Sequence, residues 1–361
     1  DDFAEFMAIK EHFGNQALQK WDDKKAVARD PSALEKYRIL LAEQIQYFKV
    51  TQYFFFKQWT ELKNYANQKG IQIIGDMPIY VAADSVEVWT KPELFQLDEE
   101  RNPLFVAGVP ADQFSATGQL WGNPLYAWEE HKKQGYAWWI HRIEESFKIY
   151  DVLRIDHFKG FSDYWQVDGK AEVAKDGSWQ PGPGYDLFKA VKEQLGDLPI
   201  IAEDLGNIDD KARKLLTDCN YPGMKILQFG FEDVSGESLD SPHYCIPHSI
   251  VYTGTHDNDV TNGWYNSLTE QQQQYINDYT HRHEDESICQ AMIRQLFATV
   301  SNTAIATMQD VLDLPASSRM NVPSTIGGNW QWRMQQSDLT QDKKDFLEKM
   351  TTLYQRANQG K

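Results

Sequence analysis

Residues 151–161 read DVLRIDHFKGF, an apolar and β-branched run that carries Arg154 and Asp156 and breaks at Gly160. A run of this kind predicts a buried strand whose end puts charge into an open site. Side chains on a strand alternate between faces, so Arg154 and Asp156, two residues apart, project on one side and can pair. A guanidinium beside a carboxylate favours the ionised form, which keeps Asp156 available as a nucleophile. Taken alone, an Arg-x-Asp is more often a plain ion pair at a strand end.

Two later stretches change that balance. Leu198 to Gly206 reads LPIIAEDLG and Ser249 to Asp259 reads SIVYTGTHDND, each an apolar strand ending in acids. Three parallel-type strands, each delivering a carboxylate at its C-terminal end and each followed by helical sequence, are how a (β/α)8 barrel builds its catalytic face.

The ordered series RIDHFKG, AEDLG and GTHDND resembles the 4-α-glucanotransferases, the amylomaltase or disproportionating-enzyme family of the α-amylase clan. Further matches run through IGDMPIYVAADSVEVW (74–89), GVPADQFSATGQLWGNPLY (108–126), NYPGMKILQFGF (220–231) and NVPSTIGGNWQWR (321–333), so the resemblance covers essentially the whole chain. It implies an α/β fold, a (β/α)8 TIM barrel with insertions. It also implies transfer of α-1,4-glucan segments between maltooligosaccharides derived from starch or glycogen, by retaining double displacement and without metal or other cofactor.

By the same resemblance Asp156 is the nucleophile, Glu203 the acid/base, and Asp257, beside His256, the group that binds the donor sugar's 2- and 3-hydroxyls. Retaining chemistry places the two working carboxyls roughly 5–5.5 Å apart. Glu203 suits the acid role because its longer side chain reaches the glycosidic oxygen and partial burial raises its pKa. Arg154 and Asp257 are expected to line the same pocket.

The barrel reading puts Asp76 at the site mouth, with Tyr80 as a sugar-stacking ring and Asp84 as a polar contact. Amylases of the clan carry D-x-x-x-N-H here, whereas this chain has Tyr80 and Val81 in those positions, which points to the glucanotransferase branch. Trp121 belongs by resemblance near the acceptor side, with Gln119 and Asn123 as nearby polar contacts. Some relatives have Tyr where this chain has Gln113. MKILQFGF (224–231) reads as a strand whose Phe229 faces either the cleft or the core, and Asn321 and Pro323 join the rim by resemblance.

Composition narrows the partners. With 36 Lys+Arg against 53 Asp+Glu the net charge is −17, which repels phosphate backbones and anionic lipid, so neither nucleic acid nor membrane is expected. Twelve Trp supply flat rings that pack cores and also stack on the apolar faces of sugars. Cys219, Cys245 and Cys289 cannot all pair and show no CxxC spacing, which argues for a reducing, cytoplasmic setting and against structural zinc. An Asp/His metal site at 256–259 lacks ligand spacing.

Residues 1–70 read as a helical segment, with a stop near Gly14, an Asp30–Pro31 helix start and a stop at Gly70. Residues 32–69 make one long helix or two joined near Val50, with TQYFFFKQW (51–59) as a buried face. Residues 71–361 read as the catalytic barrel, with a loop subdomain at about 90–150, a surface loop at 168–184 and an exposed QQQQ turn at 271–274.

A barrel closes on eight strands. Six are legible, beginning at 71, 151, 198, 224, 249 and 303. The clan carries its nucleophile on the fourth strand, its acid/base on the fifth and the HDN motif on the seventh. The expectation is therefore an incomplete barrel of strands three to eight, C-shaped, poorly stable and nearly inactive even with all three acids in place, with strands one and two before residue 1. A starch-cleaving hydrolase of the clan and a catalytically silent carbohydrate-binding barrel fragment are the competing readings.

Overall fold

The computed structural model describes residues 1–111, 117–206 and 208–357. The chain has an α/β fold in two units, Asp1–Tyr221 and Pro222–Lys361. Gln113 lies outside the described residues.

Four helices lead the first unit: α1 (Asp2–His12), α2 (Lys24–Val27), α3 (Pro31–Leu40) and α4 (Ala42–Gln68). Asp30 starts α3 as its sequence predicts, its carboxylate accepting the Ser32 and Ala33 N–H groups at 2.9 and 3.2 Å. Gly70, at φ +73°, follows the end of α4 in the left-handed geometry that a glycine tolerates. The break between the two long helices falls at Leu41, not near Val50. No Gly or Pro marks it; Leu41 leaves helical geometry (φ −112°, ψ 24°) while its side chain packs in the core.

TQYFFFKQW needs a second correction. It is no buried face: Tyr53 is 62% and Phe54 50% exposed, and α4 has no buried residue. Apolar composition marks residues that gain from burial, but burial needs a facing surface, and the described residues provide none there. The C-terminal half of α4 is anchored by polar ties instead. Trp59 Nε1 donates to the Ile149 carbonyl and Lys63 Nζ to that of Tyr150, both at 2.8 Å, so the ammonium meets the negative end of helix Ala137–Ile149.

Among the described residues of the first unit, seven strands follow: β1 (Ile74–Met77), β2 (Phe105–Val109), β3 (Gln119–Pro124), β4 (Val152–Ile155), β5 (Asp163–Asp168), β6 (Ser178–Pro181) and β7 (Ile200–Ala202). β1, β4 and β7 form a parallel sheet in the order β1-β4-β7, whose register sets Asp76 beside Arg154. The other four make an antiparallel sheet, β3-β2-β5-β6. Thus Trp121 sits on a strand, and the expected surface loop at 168–184 contains β6, which pairs Trp179 with Trp165 across the ladder. Trp21, Trp89, Trp139, Phe158 and Phe161 fill the core of this unit.

The second unit contains β8 (Gly223–Ile226), β9 (Ser249–Tyr252) and β10 (Thr303–Ile305), a parallel sheet in the order β10-β9-β8. All six expected strands are therefore present, in two parallel sheets. MKILQFGF is only half strand: a helix spans Leu227–Glu232. Leu227 and Phe231, four residues apart, share one helical face and enter the core of this unit with Val251, Trp264 and Met292, which favours the turn. Phe229 is consequently a half-buried helical residue.

Candidate active site

The alternation of β4 places Arg154 and Asp156 on one side, and the β1–β4 register adds Asp76 to them. Arg154 Nη1 lies 2.9 Å from Asp156 Oδ1 and 2.6 Å from Asp76 Oδ1, so one nearly buried guanidinium serves two half-exposed carboxylates. Burial works against its charge, but Asp76, Asp156 and Glu203 outweigh that and raise its pKa further.

Glu203 follows β7 and is tied to the end of β4 through its backbone: its N–H donates to Ile155 O and its carbonyl accepts from Phe158 N, both at 3.0 Å. Its side chain accepts two backbone N–H groups, His157 on Oε2 (2.7 Å) and Leu205 on Oε1 (2.8 Å). Burial and the neighbouring Asp156 push its carboxyl up from 4.5 to about 7, against the pull of Arg154 and the two N–H donors. A neutral acid beside an ion-paired carboxylate is a pairing suited to general acid and nucleophile.

His157 is a residue of this constellation that the sequence reading passed over. It takes the left-handed conformation (φ 51°, ψ 50°), which aims its N–H at Glu203. Burial holds its imidazole at about 4, hence neutral near pH 7. A side chain at Gly160 would meet His157 Cδ2 at 2.9 Å and Ile79 Cδ1 at 2.7 Å, so only glycine leaves this turn undisturbed. Its position next to Asp156, in a short turn ending at Gly160, was the available signal.

Trp121 meets the His157 ring edge-on at 4.9 Å, and its exposed indole lies 6.3 Å from Tyr80. Gln119 accepts the indole N–H at 3.3 Å, and Asn123 Nδ2 donates to the Val81 carbonyl at 2.9 Å. Tyr80 is buried and stacks on Tyr126, and burial raises its phenol pKa. Asp84 is tied elsewhere: it accepts the Leu18 N–H at 2.9 Å and pairs with Lys10.

In the second unit the TGTHDND loop follows β9. Asn258 Oδ1 accepts both the N–H and the hydroxyl of Thr255 at 2.9 Å, closing the loop on itself. Buried Asp310 supports it from behind, accepting Thr253 Oγ1 (2.7 Å) and Thr261 N–H (2.8 Å). Asn321 Nδ2 donates to Asp257 Oδ1 and Arg319 to the Asp257 carbonyl, both at 2.7 Å, while His256 Nε2 lies 3.3 Å from Asp257 Oδ2. Asn321 thus orients Asp257, whereas Pro323 is exposed on the same loop. Arg319 and Asp310 carry no local sequence signal, because their partners lie some 50 to 60 residues away.

Paired carboxyls of this kind, one ion-paired and one raised toward neutrality at the C-terminal ends of neighbouring parallel strands, are the equipment of an enzyme acting on glycosidic bonds. A sequence profile described as 4-alpha-glucanotransferase matches residues 1–340, and the chain belongs to that family. It is 53% identical over 359 residues to a 4-alpha-glucanotransferase of Streptococcus pneumoniae serotype 4, covering 99% of this chain and 71% of the relative. The Clostridium butyricum 4-alpha-glucanotransferase is 42% identical over 360 residues, covering 99% and 73%. Among solved structures, the Streptococcus agalactiae amylomaltase in complex with acarbose superposes with a TM-score of 0.97 at 61% identity, covering 99% of this chain and 72% of that one. No helix among the described residues is long and apolar enough to cross a membrane.

Proposed function

We propose that this chain carries out its family's 4-alpha-glucanotransferase reaction by retaining double displacement on maltooligosaccharides, with Asp156 as nucleophile and Glu203 as acid/base. The observation that carries this reading is the Arg154–Asp156 ion pair beside a Glu203 carboxyl raised to about 7. Asp156 attacks the anomeric carbon as Glu203 protonates the departing glycosidic oxygen; the covalent glucosyl–Asp156 ester then forms, and the leaving chain departs with the proton. In the second half Glu203, now a carboxylate, takes the proton of an incoming sugar 4-hydroxyl, which displaces Asp156.

Asp257, oriented by Asn321, binds the donor sugar's hydroxyls and stabilises the oxocarbenium-like state. Trp121, presented by β3 next to His157, favours a sugar over water as acceptor. Asp76, tied to Arg154, acts by holding the guanidinium rather than by touching sugar. The three free cysteines fit a cytoplasmic setting.

We read the six parallel strands as strands of a (β/α)8 barrel, each followed by helical sequence and several ending in the site's carboxyls. Incubation with maltotriose tests the activity: a transferase yields glucose together with longer oligosaccharides, whereas products shorter than maltotriose alone would make the chain a hydrolase.

A further inference from the structure

A cavity of about 220 Å3 opens beside the TGTHDND loop, lined among others by His256, Asn258, Thr307, Gln309, Met320 and Trp330. Its size is below the roughly 300–1,000 Å3 of pockets that enclose whole drug-sized ligands, so it admits one sugar ring rather than an oligosaccharide. Its lining joins hydroxyl, amide and imidazole groups to one large aromatic face. That is the composition a pyranose needs, with hydroxyls at its rim and apolar C–H faces.

Trp330 is held there in an unusual way. Its backbone has φ +61°, a conformation that bulky residues rarely adopt, and its N–H donates to the Met320 carbonyl at 2.7 Å. The indole packs at 5.1 Å and 41° against His256, yet stays 52% exposed. The same loop reaches Asp257 through Asn321 and Arg319. A large ring left half in solvent beside polar groups is not serving a core. One face of the indole is open beside the hydroxyl, amide and imidazole groups of the cavity.

We propose that Trp330 is a substrate-contacting residue on the donor side, its indole stacking on the glucosyl ring whose hydroxyls His256 and Asp257 bind. This rests on the glucan reading above and adds to it a residue that sets donor affinity. Trp330→Ala removes the platform, and Trp330→Phe keeps a flat ring.

Titration calorimetry with acarbose, on the parent chain and both variants, tests this, with thermal melts as the control for folding. The expected result is about tenfold weaker binding for Trp330→Ala, as loss of one aromatic contact implies, with Trp330→Phe within about threefold of the parent and all melts alike. Equal affinity of Trp330→Ala and the parent overturns the proposal. So does equal weakening in both variants accompanied by a lowered melt, which would make Trp330 a structural prop of the loop. If the parent itself fails to bind acarbose, the glucan reading falls and this proposal with it, an outcome distinct from the other two.

Discussion

Glu203→Gln should change stability with pH in a direction set by the raised carboxyl. Below pH 4.5 the parent carboxyl is neutral in both folded and unfolded chains, and its contribution is intact. Between 4.5 and about 7 the unfolded chain ionises first, so folding loses stability as pH rises through that window. Above it the full loss is reached, roughly 3 kcal/mol at about 1.4 kcal/mol per pKa unit.

Gln cannot ionise and escapes that loss. However, its amide nitrogen can only donate, whereas both oxygens of the carboxyl, neutral or ionised, can accept, so the N–H of either His157 or Leu205 is left unpaired at about 1–3 kcal/mol. The variant is therefore the less stable protein at pH 4.5 and comes level with the parent or passes it at pH 8. Urea unfolding followed by tryptophan fluorescence at pH 4.5, 6, 7 and 8 measures the difference. A gap between the two proteins that stays constant within about 1 kcal/mol over this range refutes a raised Glu203. Parent transferase activity should decline as pH passes about 7, where the acid loses its proton, while the variant is slow at every pH.

Asp156→Asn should abolish the covalent glycosyl intermediate, seen by mass spectrometry of acid-quenched enzyme, and cost far more than roughly tenfold in rate; a rate within tenfold of the parent removes Asp156 as nucleophile. Trp121→Ala should raise the ratio of free glucose release by water to sugar transfer, and an unchanged ratio by product chromatography takes Trp121 out of the acceptor side. Gly160→Ala forces its new methyl against Ile79 and His157, at an expected ~1–3 kcal/mol in a melt, with loss of rate if the His157 N–H swings off Glu203.

Local chemistry and short-range period were enough to read the cap at Asp30, the stop at Gly70 and the six parallel strands, because each depends on residues within a few positions of one another. The pairing of Arg154 with Asp156 was legible for the same reason: a period of two fixes which side a strand residue faces. That Asp76 completes the pair, 78 residues away, depends on β1 lying beside β4 in one register, which no local pattern encodes.

The left-handed turn at His157 that clamps Glu203, the break at Leu41, the helix after Ile226 and the sheet that presents Trp121 were likewise decided by packing between distant segments. The rings of α4 make the point from the other side. Their sequence states that they gain from burial, but only a facing surface supplies it, and along 51–56 the chain leaves them in solvent. Side-chain type and period determine what each residue seeks; the tertiary structure determines which partner it meets.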